Sequence, residues 1–582
     1  MVKEIGMSEY PVPEGYVGNL NDEHEAKLRE MWLEFFSCVE KAQGKGGAEG
    51  GAGAATVGVN QEDNDPKKSG IPKGDEAKEE AKKKEEEKAM NDLLQEYGKD
   101  ALRNSFWRFV KFDDPDTIML RFLRARKWDV GRAIAMMAGC LKWRLDNKVE
   151  LLAEEGDLGN GKIEKFLEQQ RSGKTYAFGT ALTEMPIAYI HVGKHNTFAQ
   201  PTASMQKYVI YAMESFRLFM MNNTGKVEIL FDMTGFGLKS MDWNVVLFLV
   251  KCLEAYFPES LDCMYVYNAP WVFWGIWKVL GPLLDPVVRA KVVFTNKAEE
   301  MKDKMPSDRL LPEVGGKTSN KFVFIEPKEG ENKLLEDKAK RDEKFGHYME
   351  TADEYEAVTR KWAEADKGAA DTETEEKRKL LVKKLRVAQF DQEPYFRGKT
   401  QAHRDGTLDG QGIVTWLYKQ KDGEDIRHIV GRRYCVAVLK REIKEIEEGR
   451  SVKEAEEKTE AALEKSDFSG EAAAAAETPG DFHDAPQAGE KETQKAVDGD
   501  KKVDETADGK EAAAAETNGD ASEKALPEEP KTNGNASGAT DYSAKPNGPA
   551  ETIKEKAAEA KDATKAKGDT LSRRFSKMMG RK

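Results

Sequence analysis

YFPESLDCMYVYNAPWVFWGIWKVLGPLLDPVVRAK, residues Tyr256–Lys291, decides how this chain is read. Met264 to Tyr267 is a β-type run that stops at Asn268-Ala269-Pro270. Trp271 to Leu284 then carries three Trp, one Phe and a single charge, Lys278, in 14 residues. Crossing a bilayer takes roughly 20 apolar residues, so this segment is too short to span one. It is apolar all round, where a helix on a protein surface shows only a stripe. Such a segment is either a core helix of an α/β domain or a wall that meets something other than water. Glu259 and Lys291 bracket it.

Working outward, Val227 to Met233 is a nearly continuous apolar strand, as expected when both faces of a sheet are covered. Ile187 to Val192 is another strand, Ala290 to Thr295 a fourth after Met264–Tyr267, and Lys321 to Ile325 a candidate edge strand. Between them Ser204 to Met221 repeats apolar residues at helical spacing, and Asp242 caps a helix that ends at Pro258. Strands alternating with helices imply a mainly parallel sheet. Before it, Asp114-Pro115 and Asp129 each open a helix, and Arg121, Arg124, Arg126 and Lys127 make the connection basic. The expected fold class is α/β: an all-helical N-terminal module packed on a mainly parallel sheet, with long disordered flanks.

The flanks differ from the middle. Residues 1–42 form a helical segment with Leu28, Met31, Trp32, Phe35 and Phe36 on one side. Residues 43–89 read as a low-complexity linker ending in a solvated Lys/Glu run. The helical module takes 90–150 and the sheet domain 151–326. A charged helical extension, 327–450, carries aromatic anchors from Tyr395 to Tyr434 that place it on the core. Residues 451–568 collapse to Ala, Glu, Lys, Asp, Gly and Thr and are expected to be a disordered acidic tail. Residues 569–582 are basic and amphipathic.

Composition excludes several classes. The chain has 582 residues and a net charge of −13, against a nucleic-acid partner. Its 5 Cys are scattered without a CxxC pair, which suits a reducing cytosol rather than a disulfide framework. The N-terminus has no apolar core of a signal peptide, and no run of 18 apolar residues occurs, so a cytoplasmic chain with at most peripheral membrane contact is expected. There is no GxSxG elbow, no completed GxGxxG after Gly235-Phe236-Gly237, no Walker A loop and no HExxH. No catalytic residue, metal site or cofactor is expected, and a monomer is. Asp232, at the end of a buried strand, is assigned a hydrogen-bonding role.

Four stretches together resemble the CRAL-TRIO family of lipid-transfer proteins, in particular the fungal-type secretory-pathway phosphatidylinositol transfer proteins. They are IMLRFLRARKWDV with LKWR (Ile118 to Arg144), YFPESLDCMYVYNAPWVFWGIWK (Tyr256 to Lys278), PLLDPVVRAKVVF (Pro282 to Phe294) and LLPEVGG (Leu310 to Gly316). The resemblance covers roughly residues 90 to 325. It implies a cytosolic carrier of one phospholipid, phosphatidylinositol, and a headgroup site of Glu259 and Lys291 with Arg126 and Lys127. Cations meeting a phosphodiester, with a carboxylate accepting from inositol hydroxyls, is sensible chemistry. Three departures stand out. Val227-Glu228-Ile229-Leu230-Phe231-Asp232 lacks the family's hydroxyl residues for a choline phosphate, so phosphatidylcholine exchange is not expected. Thr183-Glu184-Met185-Pro186 replaces the usual DxxGRP lead-in. Ser260 replaces a charged residue.

Two C16–C18 chains have about 30 methylenes, worth about 0.8 kcal/mol each, so roughly 25 kcal/mol favours enclosure over water. Exchange therefore has to occur at a membrane. Trp271, Phe273, Trp274 and Trp277, hinged near Ala269-Pro270 and Gly281-Pro282, are the expected gate helix. At the far end, Leu571, Phe575, Met578 and Met579 share a helical face among Arg573, Arg574 and Lys577, a candidate membrane-surface foot with Ser576 as a phosphorylation site. Two alternatives remain: a carrier or sensor of a sterol, isoprenoid or haem, and a membrane-trafficking scaffold with lipid as regulatory ligand.

Overall fold

The computed structural model describes residues 2–5, 11–44, 75–221, 224–365 and 372–463, with side chains left out for 2–5 and 75–78. These fall in the first of two units, Met1–Lys491; the second, Glu492–Lys582, lies outside the described residues. Outside them too are most of the expected 451–568 tail and the whole 569–582 foot, including Arg573, Arg574, Phe575 and Lys577.

After a short strand β1 (Val2–Ile5), α1 (Asp22–Lys41) is capped by Asn21 and buries Leu28, Met31, Trp32, Phe35 and Phe36. Next come α2 (Asp75–Glu96), α3 (Lys99–Val110), α4 (Pro115–Ala125) and α5 (Val130–Asp146). Asp114 and Asp129 cap α4 and α5 with their side chains, and Pro115 takes the first helical position. Three short helices, α6 (Val149–Glu154), α7 (Gly156–Asn160) and α8 (Phe166–Arg171), lead to the sheet.

That sheet has five strands in spatial order β2 (Thr175–Thr180), β3 (Pro186–His191), β4 (Val227–Asp232), β5 (Leu261–Tyr267) and β6 (Val292–Thr295). β2 runs antiparallel to β3 and the rest are parallel. The crossovers are α9 (Thr202–Phe216), then α10 (Trp243–Lys251) with a π-turn Cys252–Tyr256, then α11 (Phe273–Leu280) with α12 (Pro286–Ala290). One sheet face is sealed by segment 298–314, through Met301, Met305, Leu310 and Leu311. The other faces α9, α10 and α11.

The chain ends, as described, with α13 (Lys338–Glu364), α14 (Thr372–Phe396), α15 (Gln401–Arg404), β7 (Val414–Tyr418), β8 (Asp425–Val430), α16 (Val436–Glu447) and α17 (Val452–Leu463). β8 pairs antiparallel with β7 and parallel with β1. α13 and α14 share the core of α1 and α3–α5. Buried Asp116 ties them: it accepts from Trp32 Nε1 at 2.8 Å, Tyr355 OH at 3.2 Å and Arg378 Nη1 at 2.9 Å.

Four expectations need correction. The Lys/Glu run of the 43–89 linker is no solvated spacer, because α2 continues across residue 90 and lies along α5. Gly139 permits that approach, since a Cβ there would sit 3.3 Å from Ala89 Cβ. The charges of α2 are used: Arg126 Nε donates to Glu86 at 2.7 Å, Lys82 meets Asp285 at 3.1 Å and Lys251 meets Glu85 at 3.2 Å. Lys321–Ile325 is not a strand, and the added edge is β2. The helical reading of 1–42 missed β1. Structure also passes residue 451, because α17 buries Val452, Ala455 and Thr459.

Candidate functional site

Period-2 alternation on β4 splits its side chains. Leu230 joins the sealed core, while Ile229 and Phe231 face a chamber walled by α9 through Val209 and Met213 and by α10 through Val245 and Leu249. Its volume is about 140 Å³, close to that of a cavity that holds one benzene-sized molecule. The apolar floor is wider than the chamber: Met264, Val292 and Phe294 continue it beneath α11 and are only half-buried. α10 is apolar except for Asn244 and Lys251, yet none of its residues is fully buried.

Trp271–Leu284 is neither wholly buried nor a wall of this chamber. Among the described residues, none of that segment lines it. Phe273 and Leu280 are buried, and Trp277 packs on Phe294. Trp271 is 86% exposed and Trp274 45%. Trp274 still meets Phe294, with ring centres 4.6 Å apart, yet part of its ring is exposed beside Lys278 and Val279, so the outer side of α11 is more apolar than polar.

The amino ends of the strands carry a basic cluster. Lys291 Nζ donates to Leu261 O at 2.8 Å and lies 3.8 Å from Glu259 Oε2. Burial lowers the Lys291 pKa; Glu259 opposes the shift, and the nearby Lys226 and Arg124 add to it. Glu259 has φ 54°, in the left-handed region that non-glycine residues rarely occupy. Arg121 enters the chamber lining, is buried, and bridges to Asp113 at 3.4 Å. Gly225 is required there: a Cβ would fall 1.9 Å from Arg121 Nη2. Arg124 donates to Gly15 O at 2.7 Å, and its guanidinium lies 3.7 Å from the Tyr16 ring centre. The turn before α1 therefore lies over this cluster.

Of the four expected headgroup residues, Glu259 and Lys291 meet. Arg126 and Lys127 do not join them. α4 ends at Ala125; Arg126 turns back to buried Glu86, and Lys127, at φ 50°, is exposed. Of the basic residues in that connection, Arg124 is the one near Lys291, and Arg121, three before it on the same helix, lines the chamber. That spacing was visible in the sequence; where the helix stopped was not. Val227 and Ile229 lie in the chamber lining, as their place on β4 implied. Asp232 accepts from His191 Nδ1 at 2.9 Å and from the Thr234 N–H at 2.9 Å.

Comparison with known proteins gives consistent matches. Residues 170–316 match the CRAL/TRIO domain, and residues 80–139 match the CRAL/TRIO N-terminal domain. The chain is 34% identical over 331 residues to a phosphatidylinositol transfer protein, CSR1, of Eremothecium gossypii, covering 55% of this chain and 74% of that protein. It is 32% identical over 337 residues to a CRAL-TRIO domain-containing protein of Schizosaccharomyces pombe, covering 58% and 75%. It is 25% identical over 186 residues to a phosphatidylinositol transfer protein, PDR17, of Saccharomyces cerevisiae, covering 31% and 52%.

Proposed function

This chain belongs to the CRAL-TRIO family, and from that premise we propose that it holds one phosphatidylinositol molecule and passes it between membranes without bond chemistry. The observation that carries this reading is an apolar chamber with cations gathered at one end. Arg121 reaches the lining itself, and Phe257 and Ser260, also in the lining, flank Glu259. Lys291 and Arg121 would meet the phosphodiester, Glu259 would accept from inositol hydroxyls, and Arg124 would join once Tyr16 moved aside.

Two acyl chains need far more room than about 140 Å³, so loading would displace α10 or α11. Both are poorly held, and both present apolar surface on leaving the floor. Trp271 and Trp274 would rest at the membrane interface while the chamber is open, which suits Trp. The carrier would work in the cytoplasm and touch endomembranes transiently, with the basic C-terminus as a foot.

Lys291→Ala tests the headgroup assignment. It removes one cation without opening a core cavity, so melting should change little, while phosphatidylinositol transfer between liposomes should fall roughly tenfold, the scale of one lost charged hydrogen bond. Transfer at the parent rate would reject the site. A second reading, a single-chain or polycyclic hydrophobe, would displace α10 and α11 less than a phospholipid does. Mass spectrometry of lipid carried by the purified chain separates the two.

A further inference from the structure

The chamber has a second polar end. It lies where the parallel strands finish, five residues along β4 from Val227, roughly 16 Å from the basic cluster. Lys174 is buried there at 4% exposure. Its ammonium donates to Gln169 Oε1, lies 3.0 Å from His195 Nδ1 and touches Met205 Sδ at 3.5 Å. Gln169 and Met205 are uncharged. Among the described residues no carboxylate comes within ion-pairing distance of Lys174; Asp242 lies 3.5 Å from His195 Nε2 instead. Burial pushes the Lys174 ammonium down to about 8, with Asp242 opposing the shift. Ser240 is buried in the same chamber lining, and its hydroxyl makes no hydrogen bond to another protein atom.

A buried cation without a counter-charge and a buried hydroxyl without a partner each cost stability. Both belong to the same chamber wall, and one anionic group entering from the chamber would answer both. The surface above suits entry from a bilayer. The two loops that carry His195 and Ser240 are joined by the Thr197 N–H donating to Lys239 O at 2.9 Å. They hold Phe198, 86% exposed, and Leu238, 80% exposed.

We propose that Lys174 and Ser240, with His195 holding the Lys174 ammonium in place, form an anion subsite that takes the carboxylate or phosphate of a single-chain lipid, with its chain laid along β4 toward Arg121. This rests on reading the chamber as a lipid chamber, and it adds a second ligand class to the phosphatidylinositol site at the other end. One chain, like two, needs more room than about 140 Å³, so its entry too would lift α10 from the floor, though by less.

The test is equilibrium binding of radiolabelled oleic acid, 1-oleoyl lysophosphatidic acid and methyl oleate to the full chain near neutral pH. At least one of the two anions should bind about tenfold more tightly than the neutral ester, a difference of about 1.4 kcal/mol. Which anion does so names the source. Lys174→Met should bring the acid-to-ester ratio close to one, and Lys174→Arg should restore most of it, which separates lost charge from lost folding. Equal binding of acid and ester by the parent chain, or an unchanged ratio in Lys174→Met, overturns the subsite and leaves the chamber standing. Binding of none of the three overturns the lipid chamber and the subsite with it.

Discussion

The two faces of the five-stranded sheet are built from neighbouring residues and end in opposite states. On one, Ile187, Tyr189 and Leu230 are each 0% exposed beneath segment 298–314. On the other, Ile190, Phe231, Met264, Val292 and Phe294 are only partly covered, and the helices over them carry exposed Trp271 and Trp274. In sequence the sealed face is no more apolar than the open one: β4 turns Glu228, Leu230 and Asp232 to the first and Val227, Ile229 and Phe231 to the second. A sheet whose two faces served stability alone would close both, because apolar area left in water forgoes about 25 cal/mol per Å². On the reading proposed above, the incomplete face would keep that free energy available for a ligand.

Substituting adjacent residues of β4 gives the largest expected effect, because one step along a strand changes the face. Leu230→Ala opens a cavity in the sealed core and should cost about 2–5 kcal/mol in denaturant unfolding. Phe231→Ala removes a larger side chain but one already half-exposed, and should cost less than Leu230→Ala while lowering lipid transfer. If Phe231→Ala proves the costlier in stability, the chamber face is packed as tightly as its opposite and the contrast fails.

Phosphatidylcholine sharpens the chemistry of the open face. Val227 and Ile229 offer no donor to a phosphate lying on β4, and an unpaired buried phosphate is costly. Exchange of phosphatidylcholine between liposomes should be slower than that of phosphatidylinositol by roughly tenfold or more. Equal rates would mean that the choline phosphate is held elsewhere.

The rim of the open face should respond more mildly. Trp274→Asp places a charge where the ring would meet lipid, so transfer should fall several-fold. Liposomes should also shift the Trp fluorescence of the parent chain. Normal transfer by the variant, with no shift in the parent, would make the exposed rings a surface feature and remove α11 as the gate.

The strands of this contrast were legible because each is a short apolar run bounded by Pro, Gly or Asn. Which face stays open was not, because Leu230 and Phe231 are equally apolar on paper. The Glu259–Lys291 pair spans 32 positions and was reached through a family motif, not through periodicity. Arg126 misled because a basic residue one position beyond a helix end points elsewhere, here to Glu86 on a segment taken for a linker. Lys174 gave no signal at all: Gln169, His195, Met205 and Ser240 come from four separate stretches that only the fold assembles. Asp116 is the same case in the helical half, joining Trp32, Tyr355 and Arg378.

The smallest expected effect tests the sealed face from a carboxylate buried in it. Glu228 is 0% exposed between β3 and β5, and burial raises its pKa to about 8, with Lys304 opposing and Asp262 adding to the shift. Lys304, 3.5 Å away, is itself drawn to Asp262 at 2.6 Å. A carboxyl whose folded pKa lies above its usual 4.5 favours folding while protonated, and that contribution is lost as pH rises from 4.5 through about 8. Glu228→Gln keeps the shape of the protonated acid and can donate to Asp262 at any pH. The parent and the variant should therefore melt together near pH 5, and the variant should gain on the order of 1–2 °C by pH 8.5. A gap that stays constant, or favours the parent at high pH, would mean that Glu228 is ionised and held by Lys304, and that the sealed face tolerates a charge that its apolar packing argues against.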